Sequence, residues 1–213
     1  FTFVLIVLTY YIFKIKYTYK IIEVFIYMRI ISGIARGTKL FTLEGLDTRP
    51  TLDRVKEPLF NIINFDLDDA VVLDLFAGSG ALGLEAISRG ARKAFLCEKN
   101  RNAANIVEKN IEKTKFQNQA VLIRNDFEKA VTFIENQKEK VDVVFIDPPY
   151  KTDLIKRSLE KILDSNILND DFIIIAETDE PERILNDIDA LNINVFDTRK
   201  YGRVSLIFLN RKG

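Results

Sequence analysis

From residue 71 onward, short apolar runs alternate with amphipathic stretches. The runs near 71–75, 94–99, 120–125, 141–147 and 171–178 are rich in Val, Ile, Leu and Phe, and read as strands buried on both faces. Between them, apolar residues recur at three- and four-residue spacing near 81–89, 101–116, 126–136, 153–164 and 181–189, which read as helices. Such alternation predicts an α/β fold, a parallel sheet covered by helices on both faces. Two closing runs, 192–200 and 203–210, have no helix between them and read as an antiparallel hairpin with Gly202 in the turn. Ahead of residue 71, residues 29–33 and 37–41 read as a short two-stranded piece and 44–50 as turn-rich chain. From Thr51 a helix is expected, capped by Thr51 or Asp53, with Pro58 kinking it or delaying its start.

Two connections carry candidate chemistry. Val71 to Phe76 is followed by Ala77-Gly78-Ser79-Gly80-Ala81-Leu82-Gly83 and then by a helical stretch. Glycines between a strand and a helix let the backbone turn tightly and approach a ligand. Glu98 ends the next apolar run, where an acid can accept both hydroxyls of an adenosine ribose. Strand, glycine loop, helix, strand and acid serve either a dinucleotide or S-adenosylmethionine. Asp74 favours the second, because a carboxylate there suits the cofactor's amine and would repel a pyrophosphate. Asp126, placed by this reading at the end of the third strand, is available for the adenine amino group.

The second connection is Asp147-Pro148-Pro149-Tyr150, after the apolar run that ends at Ile146. An acid, a proline carbonyl and an aromatic face can hold a planar group bearing an exocyclic amine. The acid takes one N–H, the carbonyl takes the other, and the ring covers the plane. The two prolines stiffen the turn. In a sheet of the predicted kind, both connections fall at the carboxyl ends of neighbouring strands, where ligands bind.

Composition narrows the chemistry. The chain has 213 residues, enough for one sizeable core, and contains no histidine and a single cysteine, Cys97. Ser-His-Asp triads, Cys-His pairs and histidine-based metal sites are excluded, and no metal is expected. A lone cysteine cannot form a disulfide within a monomer, which fits a reducing compartment. Cys97 reads as packing. What remains is carboxylates, backbone groups and the reactivity of a cofactor, and methyl transfer fits that set.

Residues 1–27 differ from the rest: they hold 9 of the chain's 23 aromatics and no Gly, Pro, Asn or Asp. The sole methionine is Met28, so the expectation is a natural start at Met28 with 1–27 an upstream extension outside the fold. The uncharged run 1–13 is shorter than the roughly 17–25 residues of a spanning helix, and no membrane association is expected. Residues 28–213 carry 28 basic and 30 acidic side chains, so bulk charge gives no support to nucleic-acid binding. Locally the balance differs: residues 29–56 carry Arg29, Arg36, Lys39, Arg49, Arg54 and Lys56 against three acids, a basic stretch able to contact phosphates. Arg199, Lys200 and Arg203 form a second basic cluster.

Over residues 28–210 the chain resembles the bacterial RsmD-type methyltransferases, which methylate the N2 of a guanine in 16S ribosomal RNA. The matching stretches are Arg29-Ile30-Ile31-Ser32-Gly33, Arg36-Gly37 with Lys39-Leu40, Arg49-Pro50-Thr51 with Asp53 to Glu57, Leu73 to Ala86, and the Asp-Pro-Pro-Tyr turn. The 49–57 stretch is the most particular of them. The resemblance implies a class I S-adenosylmethionine-dependent methyltransferase: a Rossmann-like seven-stranded sheet with its last strand antiparallel, in 51–213, plus a small N-terminal β-hairpin arm in 28–50 that contacts RNA. It implies cofactor contacts from Asp74, Phe76, Ala77, Gly78, Ser79, Gly80, Glu98 and Asp126. It implies catalysis by Asp147, Pro148 and Tyr150, and substrate contacts from Arg36, Arg49, Thr51, Arg54, Pro149 and Arg203. The implied partner is 16S rRNA or the assembling small ribosomal subunit, met by a cytoplasmic monomer. An adenine-N6 DNA methyltransferase shares the Pro-Pro turn but needs a recognition domain for which there is no room. A glutamine methyltransferase favours Asn where Asp147 stands. An NAD-dependent enzyme and a non-catalytic RNA-binding module are the remaining rivals.

Overall fold

The structure, a computed structural model, describes residues 28–42 and 51–212, and of residues 51–54 only the backbone. The 1–27 extension, the 44–50 stretch with Arg49, and the expected caps at Thr51 or Asp53 lie outside the described residues or side chains.

Seven strands form one sheet in the order β3-β2-β1-β4-β5-β7-β6. They are β1 (Val71–Asp74), β2 (Lys93–Cys97), β3 (Ala120–Ile123), β4 (Val141–Ile146), β5 (Leu168–Thr178), β6 (Ile193–Tyr201) and β7 (Val204–Arg211). The first five are parallel, β7 runs antiparallel to β5, and β6 and β7 form the expected closing hairpin. The helices are α1 (Thr51–Ile62), α2 (Ala81–Ser88), α3 (Arg101–Thr114), α4 (Phe127–Asn136), α5 (Leu154–Leu163) and α6 (Pro181–Ile188).

Alternating strand residues feed two apolar cores. Val72, Leu96, Val143, Phe145 and Phe208 pack with α1, α2 and α3 on one face. Leu73, Phe95, Val144, Ile146 and Ile207 pack with α4, α5 and α6 on the other. Every strand in the middle of the sheet is covered twice, which is why its sequence reads as an unbroken apolar run.

Two expectations need correction. α1 starts at Thr51 and continues through Pro58 to Ile62, so the proline does not delay it. Val55, Leu59 and Phe60, buried on both sides of Pro58, hold the helix against the core despite the lost backbone hydrogen bond. β5 starts at Leu168, earlier than the apolar run suggests, because its pairing with β4 shifts register between Val141 and Val143, and polar Asn169, Asp170 and Asp171 occupy the irregular stretch.

Residues 28–42 form a small hairpin laid along α2, bridged at Arg29 and Lys39. Ile30 and Leu40 are buried in the same core as α1 to α3. The hairpin is clamped by Glu85, itself fully buried, which accepts the amides of Ile31 and Ser32 at 2.7 and 2.9 Å. Glu85 also pairs with Lys56 at 3.3 Å and Arg89 at 2.8 Å, and Lys56 donates to the Arg29 carbonyl. Lys56 is 1 % exposed, so it belongs to this buried clamp and not to a phosphate-contacting surface. Gly33 passes so close to α2 that a Cβ there would lie 1.6 Å from the Ser88 carbonyl oxygen.

Candidate active site

Strand order reverses at β1, which lies between β2 and β4. A cavity of about 520 Å³ opens there, at the carboxyl edge of the parallel strands. Phe76, Gly78 and Glu98 form one side, Asp126 and Phe127 a second, and the 147–150 turn with Arg157 and Glu177 a third. The glycine loop after β1 and the Pro-Pro turn after β4 therefore share one cavity, because β1 and β4 are hydrogen-bonded neighbours.

Gly78 and Gly80 both have positive φ, 57° and 81°, a region glycine enters without strain. The three amides of the glycine motif already have acceptors. Gly78 donates to the Glu98 carboxylate at 3.0 Å, Gly80 to the Ala77 carbonyl at 2.6 Å and Gly83 to Asp74 at 3.2 Å. A pyrophosphate would have to compete with two carboxylates for these donors and would face their charge. The loop is built against a dinucleotide and in favour of a cation.

Asp74 is 1 % exposed and stands beneath the loop, outside the cavity wall. One carboxyl oxygen takes the Gly83 amide; the other, Oδ1, has no hydrogen-bond partner among the described residues. Burial pushes its pKa up to about 7; the Gly83 amide opposes the rise, and the Glu98 charge adds to it. An approaching cation would favour the ionised form of such a group. Next to it, burial drives the Cys97 thiol up to about 12, with the charges of Glu98, Asp74 and Asp126 adding. The thiol donates to the Asn125 carbonyl at 3.2 Å and is no nucleophile.

In the Pro-Pro turn, Pro148 is buried, Pro149 exposed, and Asp147 and Tyr150 half-buried. The Thr152 hydroxyl closes the turn on the Pro149 carbonyl at 2.9 Å. The Tyr150 hydroxyl donates to Glu177 at 3.0 Å. Around the cavity, the carboxylates of Glu98, Asp126, Glu128, Asp147 and Glu177 face the cations of Lys99 and Arg157. Arg157 is paired with Glu128 at 2.7 Å, so the excess charge is negative.

The family described as conserved hypothetical protein 95 matches residues 28–210. Ribosomal RNA small subunit methyltransferase D of Escherichia coli is 39 % identical over 152 residues, covering 71 % of this chain and 75 % of its own. The protein of the same name from Haemophilus influenzae is 35 % identical over 160 residues, covering 74 % and 82 %. The chain belongs to the RsmD family. The fold agrees: the solved structure of Escherichia coli YhhF superposes with a TM-score of 0.71 at 33 % identity, over 87 % of this chain and 98 % of that one.

The fold of this RsmD-family protein brings Phe76, Gly78, Glu98, Asp126, Asp147, Pro148, Pro149 and Tyr150 to one cavity. Ala77, Ser79 and Gly80 belong to the same loop behind it. Asp126 does not end β3; it lies beyond the strand as the N-cap of α4, accepting the Lys129 amide at 2.9 Å. Arg203 is exposed in the β6–β7 turn, which the pairing of Thr178 with Ser205 puts at the carboxyl edge of the sheet. Arg36 does not join them. Its turn is bonded to Ser88 at the far end of α2, where Ile34 and Ala35 donate to the Ser88 carbonyl and hydroxyl. The side chains of Thr51 and Arg54, and all of Arg49, lie outside the described set. Among the described residues, no helix is long and apolar enough to cross a membrane, and no group of His, Cys, Asp and Glu is placed to hold a metal ion.

Four residues at or behind the cavity of the RsmD-family protein are not marked as site residues by the sequence. Glu177 follows a buried apolar run, the same signal that marked Glu98. Asn110 is a polar residue on the buried stripe of α3, and its side chain joins Phe41 to the Ser79 carbonyl at 2.8–2.9 Å. Phe127 and Arg157 gave no signal, because each reads as an ordinary residue of its helix.

Proposed function

We propose that the protein uses S-adenosylmethionine to methylate the exocyclic N2 of a guanine in small-subunit (16S) ribosomal RNA. The observation that carries this reading is the shared cavity: a glycine loop whose amides are held by acids faces a turn able to grip an amine. The family's curated members in Escherichia coli and Haemophilus influenzae are named for small-subunit rRNA methylation, and a structural neighbour with the same fold is described as complexed with SAH.

The cofactor supplies an activated methyl group and its own leaving group. Glu98, at the end of β2, is placed for ribose hydroxyls, and Asp126 for the adenine amine. Asp74, buried beneath the glycine loop and bonded to the Gly83 amide, adds carboxylate charge behind the place proposed for the ammonium of the methionine part. The lone pair of a guanine N2 is delocalised into the ring, so the nitrogen is a weak nucleophile. Asp147 and the Pro148 carbonyl accept its two hydrogens and draw it toward tetrahedral geometry, while the Tyr150 ring covers the base. Positioning supplies most of the acceleration, and Asp147 holds the proton that the nitrogen gives up. Arg203, exposed at the carboxyl edge of the sheet, and Arg49 and Arg54, read from the sequence alone, are the candidates for phosphate contacts. A base in an exposed RNA loop reaches such a site without leaving a helix, which favours rRNA or an assembling small subunit as substrate, met by a monomer in the cytoplasm.

The test is incubation of the protein with methyl-labelled cofactor and small-subunit rRNA or particles from cells lacking the enzyme, followed by mapping of the label. N2-methylguanine at one position is the expected product. Label on adenine, or none on rRNA or particles, would overturn the reading.

A further inference from the structure

We propose that Glu177 selects guanine by accepting its N1–H, making it a specificity-determining residue of the site. The inference rests on the guanine reading above and extends it to the neighbouring atom of the base.

The geometry comes from strand register. β5 lies beside β4 in parallel, with Ala176 opposite Ile146. Asp147 and Glu177 therefore occupy the next position on adjacent chains, whose backbones are spaced by about 4.8 Å. One step from a matched pair puts both side chains on the same side of the sheet. Both line the cavity. Tyr150, the residue expected to cover the base, donates its hydroxyl to Glu177 at 3.0 Å. That bond ties the carboxylate to the ring expected to cover the base. A carboxylate accepts up to about four hydrogen bonds, so an acceptor held by Tyr150 can serve the base as well.

The chemistry favours one base. The edge of guanine presents three hydrogens in a row, the N1–H and the two of the amino group. Two carboxylates side by side match that row: Asp147 for the amine and Glu177 for N1–H. Adenine presents its amine beside the lone pair of N1, which a carboxylate repels. A site built to accept a substrate N–H rejects the analogue that lacks it, because a buried acceptor is then left unmatched. The same pair distinguishes this cavity from an adenine-N6 site with an identical Pro-Pro turn.

The test uses the full-length protein and ligated small-subunit rRNA carrying either guanine or 2-aminopurine at the mapped position. 2-Aminopurine keeps the amine and lacks N1–H. Glu177→Ala is expected to lower the guanine to 2-aminopurine ratio of kcat/KM by roughly ten- to hundredfold, the range of one charge-assisted hydrogen bond. Glu177→Gln, which keeps a carbonyl oxygen at similar reach, should recover part of the ratio. Tyr150→Phe removes one tether of the carboxylate and keeps the ring, so it should lower the ratio less than Glu177→Ala does. A ratio unchanged in Glu177→Ala would overturn the proposal. So would an equal collapse in Tyr150→Phe, because Glu177 would then act only by holding the ring. Failure of the wild-type protein to methylate the guanine RNA would instead sink the function on which this proposal rests.

Discussion

At neutral pH the Asp74 carboxyl stands near its midpoint, because burial raises it to about 7 from an ordinary value of 3.8. Between those values the folded protein binds more protons than the unfolded chain. The stabilising contribution is therefore complete below about pH 4 and is lost as pH rises through 7. Asp74→Asn removes this titration and keeps an oxygen for the Gly83 amide. In urea denaturation without ligand, the stability difference between variant and wild type should move in favour of Asn between about pH 4 and 7, by up to about 1.4 kcal/mol per pH unit, and level off above that. A difference that stays constant would contradict the buried, ionisable position. Asp147 calls for the opposite experiment. It is half-buried and lines the cavity at the Pro-Pro turn. Asp147→Ala should abolish methyl transfer while calorimetry finds S-adenosylmethionine binding within about threefold of wild type, the signature of a group acting on the reacting nitrogen. Comparable activity in that variant would remove Asp147 from the chemistry.

Among the elements, the N-terminal hairpin depends most on a single side chain. Glu85, itself fully buried, accepts two of the hairpin's amides and pairs with two buried cations. Glu85→Ala leaves Lys56 and Arg89 buried beside an apolar gap, at an expected cost of about 3–5 kcal/mol. Hydrogen exchange should then rise first in residues 28–42; protection equal to wild type there would show that apolar packing of Ile30 and Leu40 suffices. The strands were legible from sequence because every central one is apolar on both faces, and the loops because glycine and proline mark them. The start of β5 was not, since Asn169 to Asp171 look like loop while one of them, Asn169, bonds the Asp142 side chain on β4. Nor was the persistence of α1 through Pro58, which depends on contacts from residues far along the chain. Of the site, both motifs were readable, whereas Glu177 becomes part of it only once β5 is known to lie beside β4. Lys56 misled for a related reason: its charge is visible in sequence, and its buried partner, 29 residues later, is not.

Across the molecule, two cores share one sheet, so neither can be lost without stripping a face from β1 and β4. Urea unfolding followed by circular dichroism and by tyrosine fluorescence should give coincident single transitions, as expected when one sheet couples both sides. Separated midpoints would mean that the cores melt independently. The docking of the hairpin also has a consequence for biosynthesis. Met28 and Phe41 rest on Ser79 and Asn110, so the earliest described segment leaves the translating ribosome well before its last anchor exists. At roughly 5–20 residues per second, Ile30 and Leu40 wait on the order of 4–16 seconds for the α3 part of their core. A hairpin clamped by α2 and completed by Asn110 on α3 ties the surroundings of the glycine loop to the progress of translation.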